Sequence, residues 1–554
     1  MTELPVVTSR SKEARTDSPG AVLVWGLLLA GVGIFSFFHA TFLSSGSLFV
    51  GDPTDSRFIL YTLEHLHLWS THHPAHRSLW DAPFYFPWPG SSTRSDLLFS
   101  IAPFYSAVRR LGAGPYEALQ TWQVLAAALN FVAAASLLVR GARFRPIPAL
   151  LGAYFVAFAN MRAAQLGHLQ LLPQFYSWFA FLSLWEGLRS DSWKRSVLFT
   201  MAAALLALEF WSSVYLGYLT LVIAAIVTAV AIARRPREAA EWLRGHLVPL
   251  ALGGAVLAGL LFPLLQHYRD RINEPNIRTY AVDVEPFLLE PQAWLFMGRH
   301  SLFYHPWRDA PFFRMPMLHE KAAGMGLLTS AVALLGLARW RSNLRLPVLV
   351  GAAIFAVLIG RFGGFSLWHS FRELAPGAEA LRAVGRGSIV VLPIVGIGVA
   401  QLASQLRAFT IALLAIGIVG EQAHSFPAFE KAAARERDQE VAGLVPPDCS
   451  VFYIAVRVDD PARAPSWLYQ VDALQAQLAT GIATANGYSG SVPPGYGALA
   501  YNVFQSSSSD LQAALRSNLP VLPPGVTACF VEAGEWTRKP RQRLWFEPRH
   551  RPAE

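Results

Sequence analysis

The residues best placed to do chemistry come early in the chain. Gly51-Asp52-Pro53-Thr54-Asp55 sets two carboxylates three positions apart, directly after an apolar run over about 21–43. A carboxylate can take the proton of an attacking hydroxyl, and a pair can share a divalent cation. The same letters also describe a turn, with Asp55 capping a helix that begins at Ser56. Other polar candidates follow at wide intervals: Asp81, Asp96, His168, Glu285, Glu290, Glu320, Arg382 and Arg386. Phosphate-loop, His-Glu-x-x-His and Gly-x-Ser-x-Gly patterns do not occur in the sequence, which disfavours a primary pump or a serine hydrolase of familiar type.

The elements that must hold these groups are membrane spans. Of 554 residues, 53% are hydrophobic and 15% charged, and the mean hydropathy is +0.34. Soluble domains carry about 25% charged residues. The apolar residues fall in runs of about 18 to 22, enough to cross roughly 30 Å of hydrocarbon. The net charge of +9 has a local source, because arginines cluster at the ends of these runs. It is no sign of nucleic-acid binding.

Orientation follows from those clusters. Arg10, Lys12 and Arg15 precede the first run, and no Lys or Arg follows it until Arg57. The residues 1–20 are therefore expected in the cytoplasm, with an uncleaved first span. Residues 44–114 then form a large outside loop. Within it Phe58, Ile59, Leu63, Leu66 and Trp69 share one helical face, which reads as an interfacial helix. Further spans are expected at about 116–139, 147–165, 169–188, 196–211, 214–233 and 247–265. After a second outside loop, 266–321, come about 322–338, 346–360, 388–405 and 408–423. That makes about eleven spans, with basic residues at each inside turn.

An odd count places residues 425–554 outside. This stretch is polar and turn-rich, with strand-like runs at 450–456 and 526–532, and reads as a small α/β domain. Both cysteines, Cys449 and Cys529, lie there beside the two strand candidates, so a disulfide between them is expected. Ionisable groups concentrate outside rather than at mid-membrane depth. That favours chemistry at the outer face over passage through the bilayer.

The order of five motifs carries a resemblance. They are Gly51-Asp52-Pro53-Thr54-Asp55, Gly167-His168-Leu169-Gln170, Glu320-Lys321 leading to Gly324, Leu381-Arg382-Ala383-Val384-Gly385-Arg386, and Asn486-Gly487-Tyr488-Ser489-Gly490. With the layout of spans and loops, over about 20–500, the chain resembles the GT-C superfamily of integral-membrane glycosyltransferases. Within it, it resembles the bacterial protein-mannosyltransferase-like and YfhO-like proteins. The resemblance implies a GT-C-like domain over 21–424 in a bacterial inner membrane. It implies inverting transfer of a sugar from a polyprenyl-phosphate donor to a lipid, glycan or protein acceptor. A first-loop aspartate, Asp52 or Asp55, would be the base. His168, Gln170, Glu320, Arg382 and Arg386 would bind substrate, the arginines facing the lipid phosphate. No cofactor is implied with certainty; some relatives use a divalent metal and others do not. A transporter or flippase of lipid-linked or small substrates is the alternative, and a non-catalytic envelope-assembly protein on the same fold is a third.

Overall fold

Apolar runs become helices, and the polar residues at their ends satisfy the first backbone donors. Helix α1 (Pro19–Leu43) starts with Pro19 in its first turn, and the Ser18 hydroxyl accepts from the Ala21 N–H. The computed structural model describes residues 17–274, 281–461, 464–505 and 525–536, with four positions between 509 and 517. Arg10, Lys12 and Arg15, on which the orientation rests, lie outside the described residues.

Among the described residues, six helical stretches are long and apolar enough to cross a membrane. They are Pro19–Leu43, Pro115–Gly141, Trp193–Ser212, Val214–Arg234, Pro236–Arg271 and Val384–Ala403. Three shorter apolar helices accompany them: Leu327–Arg339, Arg345–Leu358 and Ala408–Glu421.

The expected spans at about 147–165 and 169–188 take a different form. They are the 13-residue helices Pro146–Phe158 and Phe175–Gly187. At about 1.5 Å per residue each covers only about 20 Å. Residues 159–174 between them turn back inside the protein. Asn160, Arg162, Gln165 and Gln174 are all buried there. Arg162 donates to the Leu172 carbonyl at 3.2 Å and to the Gln174 side chain. Irregular backbone is tolerated at such depth only where protein supplies the partners. His168 stands on this segment.

The acidic loop is clipped at both ends. Strand β1 (Leu48–Val50) pairs antiparallel with β2 (Ala428–Glu430), with Phe49 opposite Phe429. Gly51 then turns with φ +149°, and a Cβ there would come within 2.2 Å of the Ser56 hydroxyl. Helix α2 (Asp55–Ser70) follows. It is not the interfacial helix that its apolar face suggested, because its charged face is buried too. Arg57 pairs with Asp472 at 2.8 Å and Asp438 at 2.5 Å. Glu64 accepts from Arg109 at 2.8 Å and from the Tyr105 hydroxyl at 2.6 Å. His65 and His76 meet through their Nδ1 atoms at 2.8 Å.

The partners of Arg57 belong to a C-terminal sheet. Strand β3 (Val451–Arg457) lies at its centre, parallel to β4 (Ala483–Thr484), β5 (Val503–Phe504) and β6 (Ala528–Ala533). Six consecutive β3 residues are buried, the pattern of a parallel strand covered on both faces. Helix Ser466–Thr480 packs against it and ends at Gly481 in a left-handed conformation. Cys449 and Cys529 are joined, with Cα atoms 5.9 Å apart.

Candidate active site

The acidic loop, the 159–174 segment, the 318–320 turn, the start of the 384–403 stretch and the C-terminal sheet enclose one cavity of about 980 Å³. Asp52 and Asp55 both line it, and the structure gives them different surroundings. Asp52 Oδ1 accepts from the Thr54 and Asp55 backbone N–H groups at 2.7 and 3.0 Å, closing the first turn of α2. Among the described residues no side chain bonds its other oxygen. Burial raises the Asp52 carboxyl above its ordinary value, and the neighbouring Asp55 charge adds to this. Asp55 has both oxygens engaged. Oδ1 accepts from the Tyr488 hydroxyl at 2.5 Å, and Oδ2 stands 3.1 Å from His168 Nδ1. Burial works to raise Asp55, but the His168 and Tyr488 bonds outweigh it and hold the group low.

His168 joins this carboxylate to the far side of the cavity. Its Nε2 lies 3.4 Å from Glu320 Oε1 and 2.8 Å from Arg386 Nη2. Burial and the Arg386 charge lower the ring, yet Asp55 and Glu320 raise it to about 9. The short Arg386 contact suits a neutral ring, with Nε2 accepting; the raised pKa suits a charged one, with Nε2 donating to Glu320. We take the charged form at neutral pH, because two carboxylates flank the ring against one guanidinium. Glu320 itself, although buried, is held well below its usual range by Arg386 and His168. Arg386 grips it with two bonds, Nε to Oε2 at 3.0 Å and Nη2 to Oε1 at 2.5 Å. Arg386 Nη1 keeps no protein partner among the described residues.

Three of the expected substrate-binding residues, His168, Glu320 and Arg386, therefore form one chain with Asp55. Gln170 and Arg382 line the same cavity without joining that chain. Arg382 lies over the Phe287 ring at 4.7 Å, and its backbone N–H donates to the Tyr215 hydroxyl at 3.0 Å. Sequence reasoning missed Tyr488 as a site residue, although it stands in one of the quoted motifs. It also missed Tyr215, whose ring carries Arg386 at 5.8 Å. The motif glycine Gly487 has a steric reason: a Cβ there would meet the Tyr85 ring at 2.1 Å. Among the described residues no group of three or more His, Cys, Asp or Glu side chains converges in a way that could hold a metal ion.

No protein-family model and no curated protein matches the sequence. Several solved structures are similar in fold. One is the archaeal oligosaccharyltransferase AglB from Archaeoglobus fulgidus, in complex with an inhibitory peptide and a dolichol-phosphate. The TM-score is 0.48 at 12% identity, over 84% of this chain and 64% of that one. Another is ArnT from Cupriavidus metallidurans bound to undecaprenyl phosphate, at TM-score 0.38 and 13% identity over 92% and 90% of the two chains. A third is the mycobacterial arabinofuranosyltransferase AftD, at 0.39 and 17% over 78% and 30%. The chain thus spans less than two thirds of the length of AglB.

Proposed function

We propose that the chain is a membrane glycosyltransferase of the GT-C kind, which passes a sugar from a polyprenyl-phosphate carrier to an acceptor hydroxyl. The observation that carries this is the asymmetry of the two loop aspartates. Asp52 lines the cavity with one carboxylate oxygen unbonded among the described residues and has a raised pKa, which suits a general base. Asp55 is bound on both oxygens and acts as a strut.

The step runs as one displacement. Asp52 takes the proton of the acceptor hydroxyl. The acceptor oxygen bonds to the anomeric carbon from the face opposite the carrier. The bond from that carbon to the phosphate oxygen breaks, and the phosphate leaves with its electron pair, so the configuration inverts. Arg386 Nη1 and Arg382 serve the leaving phosphate, since both line the cavity where the Val384–Ala403 stretch begins. The cavity opens on the extracytoplasmic side of a bacterial inner membrane in this reading, with the N-terminus in the cytoplasm.

Asp52→Asn tests the assignment. It keeps the shape and the cap but cannot accept the proton, so turnover drops roughly 10²- to 10⁴-fold while carrier binding persists. Transfer at the parental rate rules out Asp52 as the base. Vectorial movement of a lipid-linked substrate by this variant, without any transfer, would favour the transporter instead.

A further inference from the structure

One wall of the cavity comes from the segments around the C-terminal sheet, through Trp467 and the Tyr488–Ser491 turn. Trp467 sits in the first turn of helix Ser466–Thr480, beside Ser466 and Leu468, which are buried. Trp467 itself is 55% exposed. Among the described residues no hydrogen bond, ring pair or cation engages its indole. A large flat apolar surface thus borders a polar cavity.

Other groups on the same cavity are also unsatisfied. Gln165 Oε1, Gln170 Oε1 and Ser491 Oγ are sealed from solvent and lack hydrogen-bond partners among the described residues. A buried polar atom left unpaired is costly, and these three belong to cavity-lining residues, where a bound molecule could supply the partner. One ligand chemistry answers both features. A pyranose ring offers a C–H face to an indole and hydroxyl donors to amide and hydroxyl oxygens. A lipid tail lacks the hydroxyls.

The two sides of the cavity also differ in origin. Arg382 and Arg386 stand at the start of an apolar stretch, Val384–Ala403. Trp467 and Ser491 come from a helix and a loop that flank the C-terminal sheet. The sheet is held in register with the loop by the bond from Tyr488 to Asp55, three residues from Asp52. We propose that Trp467 and the Tyr488–Ser491 turn form a sugar-binding subsite for the acceptor, which is itself a glycan. That its occupant is the acceptor rests on the transferase reading; that it binds a sugar ring does not.

The test uses the full chain in lipid nanodiscs. Tryptophan emission is compared between the parent and Trp467→Phe, whose difference isolates Trp467. The probes are methyl hexosides and short neutral oligosaccharides. A saturable change in the difference signal with one of these supports the subsite. No change with any of them overturns it. So does a change produced by anionic lipid vesicles or by polyprenyl phosphate instead, which would make Trp467 an interfacial anchor or a donor contact. With a glycan acceptor in a transfer assay, Trp467→Ala raises the acceptor KM about tenfold or more, a loss of about one strong contact. The donor KM stays at its parental value, and Trp467→Phe recovers most of the loss. Equal rises in both KM values count against the subsite, provided the variant melts with the parent. If Asp52→Asn keeps full transfer, the transferase reading falls while the fluorescence result still decides the sugar site.

Discussion

The Tyr488 hydroxyl meets Asp55 Oδ1 at 2.5 Å, although 433 positions separate the two residues. Through this bond the C-terminal sheet reaches the acidic loop. Tyr488→Phe removes the bond but keeps the ring beside Phe58, now 5.2 Å away between centroids. A hydrogen bond to a charged group is worth about 1.5–3 kcal/mol, so the variant is less stable by that order at neutral pH. The sign with pH follows from Asp55, whose folded pKa is depressed. Its stabilisation is present above the ordinary value of 3.8 and is lost as pH falls through the folded value. The gap between parent and variant should therefore narrow on acidification. Thermal melts in detergent across that range measure it; a gap that stays constant would detach Tyr488 from the Asp55 charge.

His168 gives the opposite dependence. Its folded pKa is raised to about 9 from an ordinary 6.5, chiefly by Asp55 and Glu320 against the cost of burial. The stabilisation is complete below 6.5 and fades as pH rises through about 9. The parent should lose melting temperature over that alkaline interval, and His168→Gln should show a flatter curve from a lower start. Identical slopes would mean that the ring is neutral throughout.

Arg57 is fully buried between Asp438 and Asp472. Arg57→Ala leaves the buried Asp472 and the partly buried Asp438 short of a partner, a loss of about 3 kcal/mol. Arg437 and the Trp536 indole still reach Asp472, which limits the damage on that side. Because Arg57 lies less than one turn from Asp55, transfer activity should fall with stability. A variant that melts like the parent would show the network to be dispensable.

The Cys449–Cys529 bridge closes a loop with a sequence separation of 80. In the chain-entropy model such a closure stabilises by about 4 kcal/mol. Peptide mapping without reductant should recover the linked pair, and reduction should lower the melting temperature. Recovery of two free thiols would refute the bridge and, with it, the placement of the C-terminal sheet in an oxidising compartment.

Local signals were the legible ones. Apolar run lengths located the long helices, and the turn residues of the Gly51 loop marked the acidic site. Where a neighbour far along the chain decides the outcome, the sequence was silent. Helix α2 reads as interfacial because its local pattern has one apolar face; the partners that bury Arg57 stand some 380 to 415 positions away. Asp52 and Asp55 are the same residue type in one loop, and only His168 and Tyr488 distinguish them. The broken pair around 159–174 was hidden because its apolar count resembles that of two full spans. Its polar residues, Asn160 and Arg162 among them, find their partners inside the protein.

The order of synthesis gives the Arg57 cluster a further meaning. Asp438 and Asp472 emerge from the ribosome 381 and 415 residues after Arg57. At about 5–20 residues per second, that delay lasts roughly 20 to 80 s. Until Asp438 is made, the first loop carries a guanidinium destined for the dry interior with neither carboxylate yet present. The Arg57 side chain cannot meet its carboxylates until the last quarter of the polypeptide arrives. The nascent protein thus has its apolar helices made before its acidic loop is locked, and a chain cut short before Asp438 leaves that loop without these partners.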